Sequence, residues 1–528
     1  MTLAALLAPT QHEVRLHFLD EGITPTLSDL WKFGESVSRW IGGPKEPLAA
    51  VLSNTSSCVA FLLGVIQCGA ELSSIPAPPR GADFDWYASF VAEACRQRGA
   101  SRLVVDDAYL PLLPELPGIS YSSFGQVLNA RGRGPTNPAS FQLIQFTSGS
   151  TADPRGVVLG QDRISANVDS ILTSLELEPG DGTCSWLPLS HDMGLIGMLL
   201  SAISGCSHRT QGGDVVILTP EQFLRDPGCW LAACSEFRST ITAVPNFGFE
   251  MALRRKPPVG LDLSALRVCI TGAEPINAET LDRFSDAFHQ AGYLDTSHCP
   301  AYGLAEATLA VTMTRPKEPW SSIDLNRDRL AAHKVQEEAG GLSFVSAGTP
   351  LEGMAFEIDG PPGEVGRISI RGSSVLDAYS DGSIAIDGDG WFHTSDLGFT
   401  KDGQLFVVGR QDDVLFVGGI KVFALDIERH VGLLAGVRPG RVIALTSATA
   451  GLTVLAEAVD DSGGDYGALV SEIRHCVVSR TGTSPRAIGI VPKGSLPMTA
   501  SGKIRRRVAQ ESFDDHSLEL RAGSTGIE

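Results

Sequence analysis

No CxxC pair occurs among the ten cysteines of this 528-residue chain, which sit singly at positions 58, 68, 95, 184, 206, 229, 234, 269, 299 and 476. Zinc sites want closely paired thiols and disulfide scaffolds want many of them in a short chain, so neither fits, and the cysteines read as reduced core residues. Basic residues are in deficit: 42 Lys and Arg against 61 Asp and Glu leave a net charge of −19. That sign disfavours non-specific binding to nucleic acid or an anionic membrane. The opening MTLAALLAPTQHEV has no basic n-region, and no apolar run approaches the ~18–20 residues that cross a bilayer. No internal repeat stands out. A cytoplasmic protein with no membrane segment is expected.

A hydrophobic fraction of 43% with 57 Gly and 31 Pro describes a loop-rich α/β chain, and its length suggests roughly three or four folding units. Strand-like runs recur at 102–106 (RLVVD), 214–219 (DVVILT), 240–245 (TITAVP) and 267–271 (RVCIT). Between them lie amphipathic helices such as ETLDRFSDAFHQAG, which puts Leu281, Phe284 and Phe288 on one face. Parallel sheets bind ligands at the carboxyl ends of their strands, so the turn Gly272-Ala273-Glu274-Pro275 is either a binding edge or an ordinary strand-to-helix loop. After residue 400 the spacing predicts a hairpin from QLFVVGR and DVLFVGG, a helix near 424–435, strands near 441–446 and 452–458, and a helix near 466–480. The junction GRQDDVLFVGG, residues 409–419, suits a hinge or a tight turn.

One loop is richer in small donors than any core requires. QFTSGSTADPRGVVL, residues 145–159, places five Ser, Thr or Gly residues in a row before Arg155. Converging amides and hydroxyls of that kind bind anions, although the spacing is not that of GxxxxGK[ST]. A plain surface turn has the same composition.

Seven segments in fixed order decide between these readings: TSGSTADPRG, WLPLSHDMGLIG (186–197), TGAEPI (271–276), AYGLAEATL (301–309), TSDLGF (394–399), VGRQDDVLFVGGIKVFALDIE (408–428) and PMTASGKIRRR (497–507). Together they resemble the adenylate-forming superfamily of acyl- and aryl-CoA synthetases, luciferases and peptide-synthetase adenylation domains, over nearly the whole chain. The wording LPLSHDMGLIG, GAEP and YGLAEATL, with Ala305 before Glu306, is similar to the fatty acyl-AMP ligase branch, as is VPNFGFEMAL at 244–253. Departures are Ala152-Asp153 in the first loop, Ser395 in TSDLG, and a shortened 375–393 stretch that alters one wall of the site.

The resemblance implies a large N-terminal α/β domain, residues 1–411, of doubly wound sheets plus a small β-barrel-like subdomain, followed by a small mobile α+β domain, residues 412–528. It implies an ATP-dependent, AMP-forming acid–thiol ligase that needs Mg²⁺. Thr147, Ser148, Gly149, Ser150 and Thr151 would cradle the β- and γ-phosphates, with Arg155 adding positive charge. Glu306 would hold Mg²⁺, a hard ion suited to carboxylate and phosphate oxygens; alone it equally fits a helix-start carboxylate. Tyr302, with Gly303, Leu304 and Ala305, would face adenine opposite Gly272, Ala273, Glu274 and Pro275. Asp396 would accept the ribose hydroxyls and Arg410 would hold ribose or phosphate. Lys503 would be the catalytic cation, Asp412 the hinge, and His191, Asp192, Asn246 and Phe247 the start of the acyl pocket.

The implied partners are a carboxylic acid, foremost a fatty acid, and a separate holo acyl carrier protein. Free CoA as acceptor is the alternative, and a nucleotide-binding homologue without turnover a third reading. Residues 313–347 are expected to restrain the small domain, and Arg505-Arg506-Arg507 to form a basic patch at the thiol entrance.

Overall fold

The alternation of short β-branched runs with amphipathic helices builds two mainly parallel sheets in the first 350 residues. The computed structural model describes residues 1–42, 46–78, 84–113, 115–130, 140–147, 155–417, 420–447, 451–459, 466–481, 483–498 and 504–525. One sheet orders its strands Ser120–Ser123, Arg102–Val105, Leu48–Val51, Glu71–Ile75, Gln142–Thr147 and Arg155–Gly160, parallel except for the final hairpin. The other runs Val14–Phe18, Gly213–Ile217, Thr183–Ser185, Ile241–Ala243, Val268–Thr271, His298–Gly303, Ala310–Met313 and Thr349–Pro350, antiparallel only in its last two pairings.

Helix Ser56–Cys68, whose sequence SSCVAFLLGVIQC carries no charge, is buried from Cys58 to Ile66. A helix apolar on all sides belongs inside. Its core cluster takes Leu16 from one sheet and Leu48 and Ala50 from the other, so the two sheets share one interior. Local signals set the helix ends: Thr219 and Gln222 cap each other around Pro220 at the start of Pro220–Arg225. Helix Ala278–Phe288 begins on Asn277, whose side chain accepts the Glu279 amide, and buries Leu281, Phe284 and Phe288 as the sequence predicts.

Beyond residue 350, Met354–Asp359, Gly366–Gly372, Phe392–Lys401 and Gln404–Arg410 form an antiparallel sheet. The two-stranded pair Ser322–Leu325 and Leu342–Val345 packs on it through Leu325, Phe344, Phe399 and Phe406. The last sheet, Val437–Ser447, Gly451–Ala458, Ala487–Val491 and Ala522–Thr525, has a hydrophobic cluster of its own with helices Ala424–Val431 and Gly467–Thr481.

The hairpin expected from 404–410 and 413–419 does not form. Gln404–Arg410 pairs back onto Phe392–Lys401, Val414–Val417 pairs forward with Ile420–Phe423, and a single helical turn, Gln411–Asp413, separates them. Two adjacent runs of similar pattern look like partners in sequence, but each finds a better register with its other neighbour.

Candidate active site

Val268–Thr271 and His298–Gly303 are neighbouring parallel strands, and both run into predicted motifs at their carboxyl ends: Gly272–Pro275 and Leu304–Glu306. Crowding dictates the glycines. A Cβ on Gly272 would lie 2.7 Å from Ala301 O, and one on Gly303 only 1.8 Å from Leu309 O. Ala273 (φ 65°) and Thr308 (φ 72°) hold left-handed backbone without being glycine, a strain that persists where surrounding contacts enforce it. Thr308 is enforced by its hydroxyl, which donates to Ser374 O at 2.8 Å.

Tyr302 is nearly buried, and its phenol donates to Asp396 Oδ2 at 2.7 Å. Asp396 stands opposite Arg410 in the register of their two strands, with Arg410 Nε 3.6 Å from Asp396 Oδ1. The Arg410 guanidinium also donates to Ser395 Oγ. Burial first, then the Asp396 charge, pushes the Tyr302 phenol well above its usual range, so it stays a donor.

A second group adjoins the first. Glu306 Oε1 accepts the Tyr379 hydroxyl at 3.0 Å, and the Arg155 guanidinium lies 3.8 Å over the Tyr379 ring while donating to Ser383 Oγ at 2.9 Å. Burial raises the Glu306 carboxyl above its usual range, and the charges of Asp396 and Asp192 add to the rise. Among the described residues no three such groups close into a metal site, but the charge at Glu306 is one that a bound cation would relieve. Tyr379 and its neighbours escaped the sequence reading, because DAYSDG in a shortened loop carries no motif.

His191 Nδ1 lies 2.6 Å from Asp192 Oδ1, and Asp192 accepts the Met193 amide at 2.7 Å. The helix that follows, Met193–Leu200, is wound in wide i→i+5 turns, with the Ser201 amide bonded to Ile196 O. Such turns cost backbone geometry and are frequent at functional sites; apolar periodicity does not reveal them. Asn246 and Phe247 open helix Asn246–Leu253. Glu274 Oε1 accepts the Phe247 amide at 2.6 Å, Asn246 Oδ1 accepts the Asn277 amide at 2.9 Å, and Phe247 meets Trp186 edge-on at 5.8 Å. The Gly272–Pro275 turn is therefore bonded to Phe247 through Glu274.

Gln142–Thr147 and Arg155–Gly160 are antiparallel partners with Thr147 opposite Arg155, and the Ser/Thr/Gly loop joins them in sequence. Its residues Ser148, Gly149, Ser150 and Thr151 lie outside the described residues, as does Lys503. Asp412 falls within the turn Gln411–Asp413. The segment 313–347 touches the C-terminal part: Arg429 donates to Ser343 O and to Ile276 O, both at 3.3 Å, and Arg327 Nε lies 3.5 Å from Asp426.

The expected basic patch at 505–507 is corrected by the structure. Arg506 points inward, donating to Asp413 Oδ1 at 2.8 Å, to Glu428 Oε1 at 2.6 Å and to Ala444 O. Arg507 pairs with Glu511, and Arg505 is half-buried. Three consecutive arginines at the N-terminus of helix Arg506–Asp514 point in different directions, and the part-buried carboxylates of Asp413 and Glu428 claim the middle one.

The chain is similar to known proteins. The chain is 30% identical over 416 residues to the long-chain-fatty-acid–AMP ligase FadD28 of Mycobacterium tuberculosis, covering 71% of this chain and 70% of that one. It is 29% identical to the 4-hydroxyphenylalkanoate adenylyltransferase of Mycobacterium marinum, covering 93% and 86%. A structure from work on fatty acyl-adenylate ligases of E. coli and L. pneumophila superposes with a TM-score of 0.89 at 26% identity, over 98% of both chains. The model of AMP-binding enzymes matches residues 10–380, which take in both parallel sheets and the contacts of Arg155, Glu306 and Tyr379, and the chain belongs to that family.

Proposed function

We propose that this chain is an acyl-AMP ligase that activates a carboxylic acid, foremost a fatty acid, with ATP and passes the acyl group to the phosphopantetheine thiol of a separate holo acyl carrier protein. The observation that carries the reading is the edge where Tyr302–Asp396–Arg410 adjoins Glu306–Tyr379–Arg155. Aromatic face, paired carboxylate and two guanidinium groups are what a nucleoside triphosphate requires of a protein surface. The names of the relatives, one a fatty-acid ligase and one an adenylyltransferase, support the acid half.

In the first step a carboxylate oxygen of the acid bonds to the α-phosphorus as the bond to pyrophosphate breaks. Arg155 and the 147–151 loop would take up charge on the departing pyrophosphate, and Lys503 would meet charge gathering at the α-phosphate. Tyr302 and Asp396 would hold adenine and ribose, so positioning and electrostatics do most of the catalytic work. Mg²⁺ would be held by Glu306, whose carboxyl burial raises, and when bound it would neutralise phosphate charge. In the second step the thiol sulfur attacks the acyl carbonyl and AMP leaves. We place the hinge between the poses of the two steps at Asp412, dividing residues 1–411 from 412–528, with 313–347 restraining the smaller part through Arg429 and Arg327.

Single-turnover formation of dodecanoyl-AMP from ATP, Mg²⁺ and dodecanoate tests the first step. Lys503→Ala should lower it roughly 10²–10³-fold with the melting temperature unchanged; an undiminished rate removes Lys503 from the mechanism. Comparing CoA with a holo-carrier at equal concentration tests the second. Transfer to CoA at an equal or greater rate would make the chain an acyl-CoA ligase instead.

A further inference from the structure

We propose that Tyr379 is a positioning residue for the phosphate end of the site, its hydroxyl orienting Glu306 and its ring face carrying Arg155. The inference rests on the adenylation reading and assigns work to a residue that the motifs leave out.

Arg155 and Glu306 belong to different sheets. Arg155 opens the outer strand of the hairpin Gln142–Thr147 and Arg155–Gly160, whereas Glu306 follows the strand His298–Gly303. A short strap around Tyr379 bonds to both. On one side the Ser380 amide donates to Gly156 O at 2.8 Å, the Gly156 amide to Ser380 Oγ at 3.2 Å, and Tyr379 bridges Val157. On the other side the Leu376 amide donates to Glu306 O at 2.8 Å. Gly156 permits this approach, since a Cβ there would lie 2.7 Å from Ser380 Oγ.

Tyr379 is the side chain that completes the link. It is 8% exposed, its hydroxyl reaches Glu306 Oε1 at 3.0 Å, and its ring lies 3.8 Å beneath the Arg155 guanidinium. A phenol on one carboxylate oxygen fixes the plane of the group and so aims the other oxygen. Outer partners of this kind are commonly worth 10–100-fold in the affinity of the ion their carboxylate holds. The ring does a separate job. Arg155 is half exposed, and a long side chain in water samples many rotamers; a flat aromatic surface restricts it to a plane and adds cation–π attraction.

The two jobs separate by substitution. Tyr379→Phe keeps the ring and removes the donor, Arg155→Gln removes the cation and keeps the donor, and Tyr379→Leu removes both. Isothermal titration with the non-hydrolysable analogue AMPPNP across a range of Mg²⁺, and separately with pyrophosphate, reads them without turnover. Tyr379→Phe should shift the Mg²⁺ concentration at half-saturation about 10-fold upward. It should add nothing further in a Glu306→Gln background, whereas Arg155→Gln should weaken pyrophosphate without moving the Mg²⁺ midpoint. An unshifted midpoint in Tyr379→Phe, or an equal shift with and without Glu306, overturns the proposal. If that variant does not fold, 3-fluorotyrosine at 379 changes donor strength at constant shape, and an unmoved midpoint there also overturns it. A wild-type chain that binds neither AMPPNP nor pyrophosphate would instead refute the adenylation reading itself.

Discussion

Lowering the pH from 7 to 4.5 should destabilise the fold through one buried side chain, His298. This residue begins the strand that carries Tyr302, and it is wholly inaccessible. Its ring nitrogens bond to Ser285 Oγ and Tyr293 OH, both at 3.1 Å, and the rings of Phe249, Phe284 and Tyr293 surround it. Burial pushes the imidazole down from 6.5 to about 4, although the nearby Asp295 pulls the other way. The folded chain therefore holds His298 neutral, while the unfolded chain takes up the proton first as pH falls. Stability from this group is complete above pH 6.5 and is lost as pH drops through the interval down to about 4. At about 1.4 kcal/mol per unit, the drop corresponds to about 3 kcal/mol, most of it gone by pH 4.5. For a unit of ~400 residues that amounts to roughly 3–4 °C of melting temperature. His298→Asn cannot titrate, so it should cost stability at pH 7 but show a shallower acid slope. Thermal melts of both proteins at pH 7, 6, 5 and 4.5 measure the gap, which should close on acidification. Parallel profiles would refute the reasoning.

Tyr302→Phe removes a 2.7 Å charge-assisted bond to Asp396, and ATP affinity should fall about 10-fold, with the dodecanoate KM unchanged; equilibrium titration with AMPPNP and steady-state kinetics read the two. Arg506→Met leaves Asp413 and Glu428 without their shared guanidinium. Urea denaturation should show a loss of about 2–3 kcal/mol, toward the low end because the group keeps some exposure, whereas Arg507→Met should stay within ~0.5 kcal/mol. Glu306→Gln replaces a carboxylate that burial disfavours while keeping an acceptor for Tyr379. It should raise the melting temperature of the ligand-free protein by roughly 2–4 °C at pH 7 and move the Mg²⁺ midpoint of AMPPNP binding upward by more than Tyr379→Phe does.

Much of this architecture is written in patterns that need only neighbouring residues. Leu281, Phe284 and Phe288 announce their helix, and Gly272 and Gly303 mark places where backbone meets backbone too closely for a Cβ. The order of the motifs likewise predicts which strand ends converge. What the sequence conceals depends on distant partners. Val414–Val417 and Gln404–Arg410 each look ready to pair with the other, yet both choose strands that sequence order alone does not rank. Arg506 reads as surface charge until Asp413 and Glu428 are seen around it, and Tyr379 has no signature because its meaning lies in Glu306, 73 residues away.

That dependence on partners also explains how the site tolerates its own electrostatics. Asp396 and Asp192 both act on Glu306, and each of the three accepts a neutral donor, the Tyr379 phenol, the Tyr302 phenol or the Met193 amide, with His191 also beside Asp192. A neutral donor fixes the direction of the Glu306 carboxylate without cancelling its charge, so it stays oriented while remaining attractive to a cation. Arginines placed directly on these carboxylates would satisfy the fold and spoil the site. Arg155 instead lies over a ring and Arg410 stands 3.6 Å from its carboxylate, close enough to be held and loose enough to turn toward phosphate. The strained residues Ala273 and Thr308 fit the same logic, since the turns they shape are bonded to a core that can hold them. A variant that relaxed either turn, or moved a guanidinium onto Glu306, should gain stability and lose nucleotide binding together.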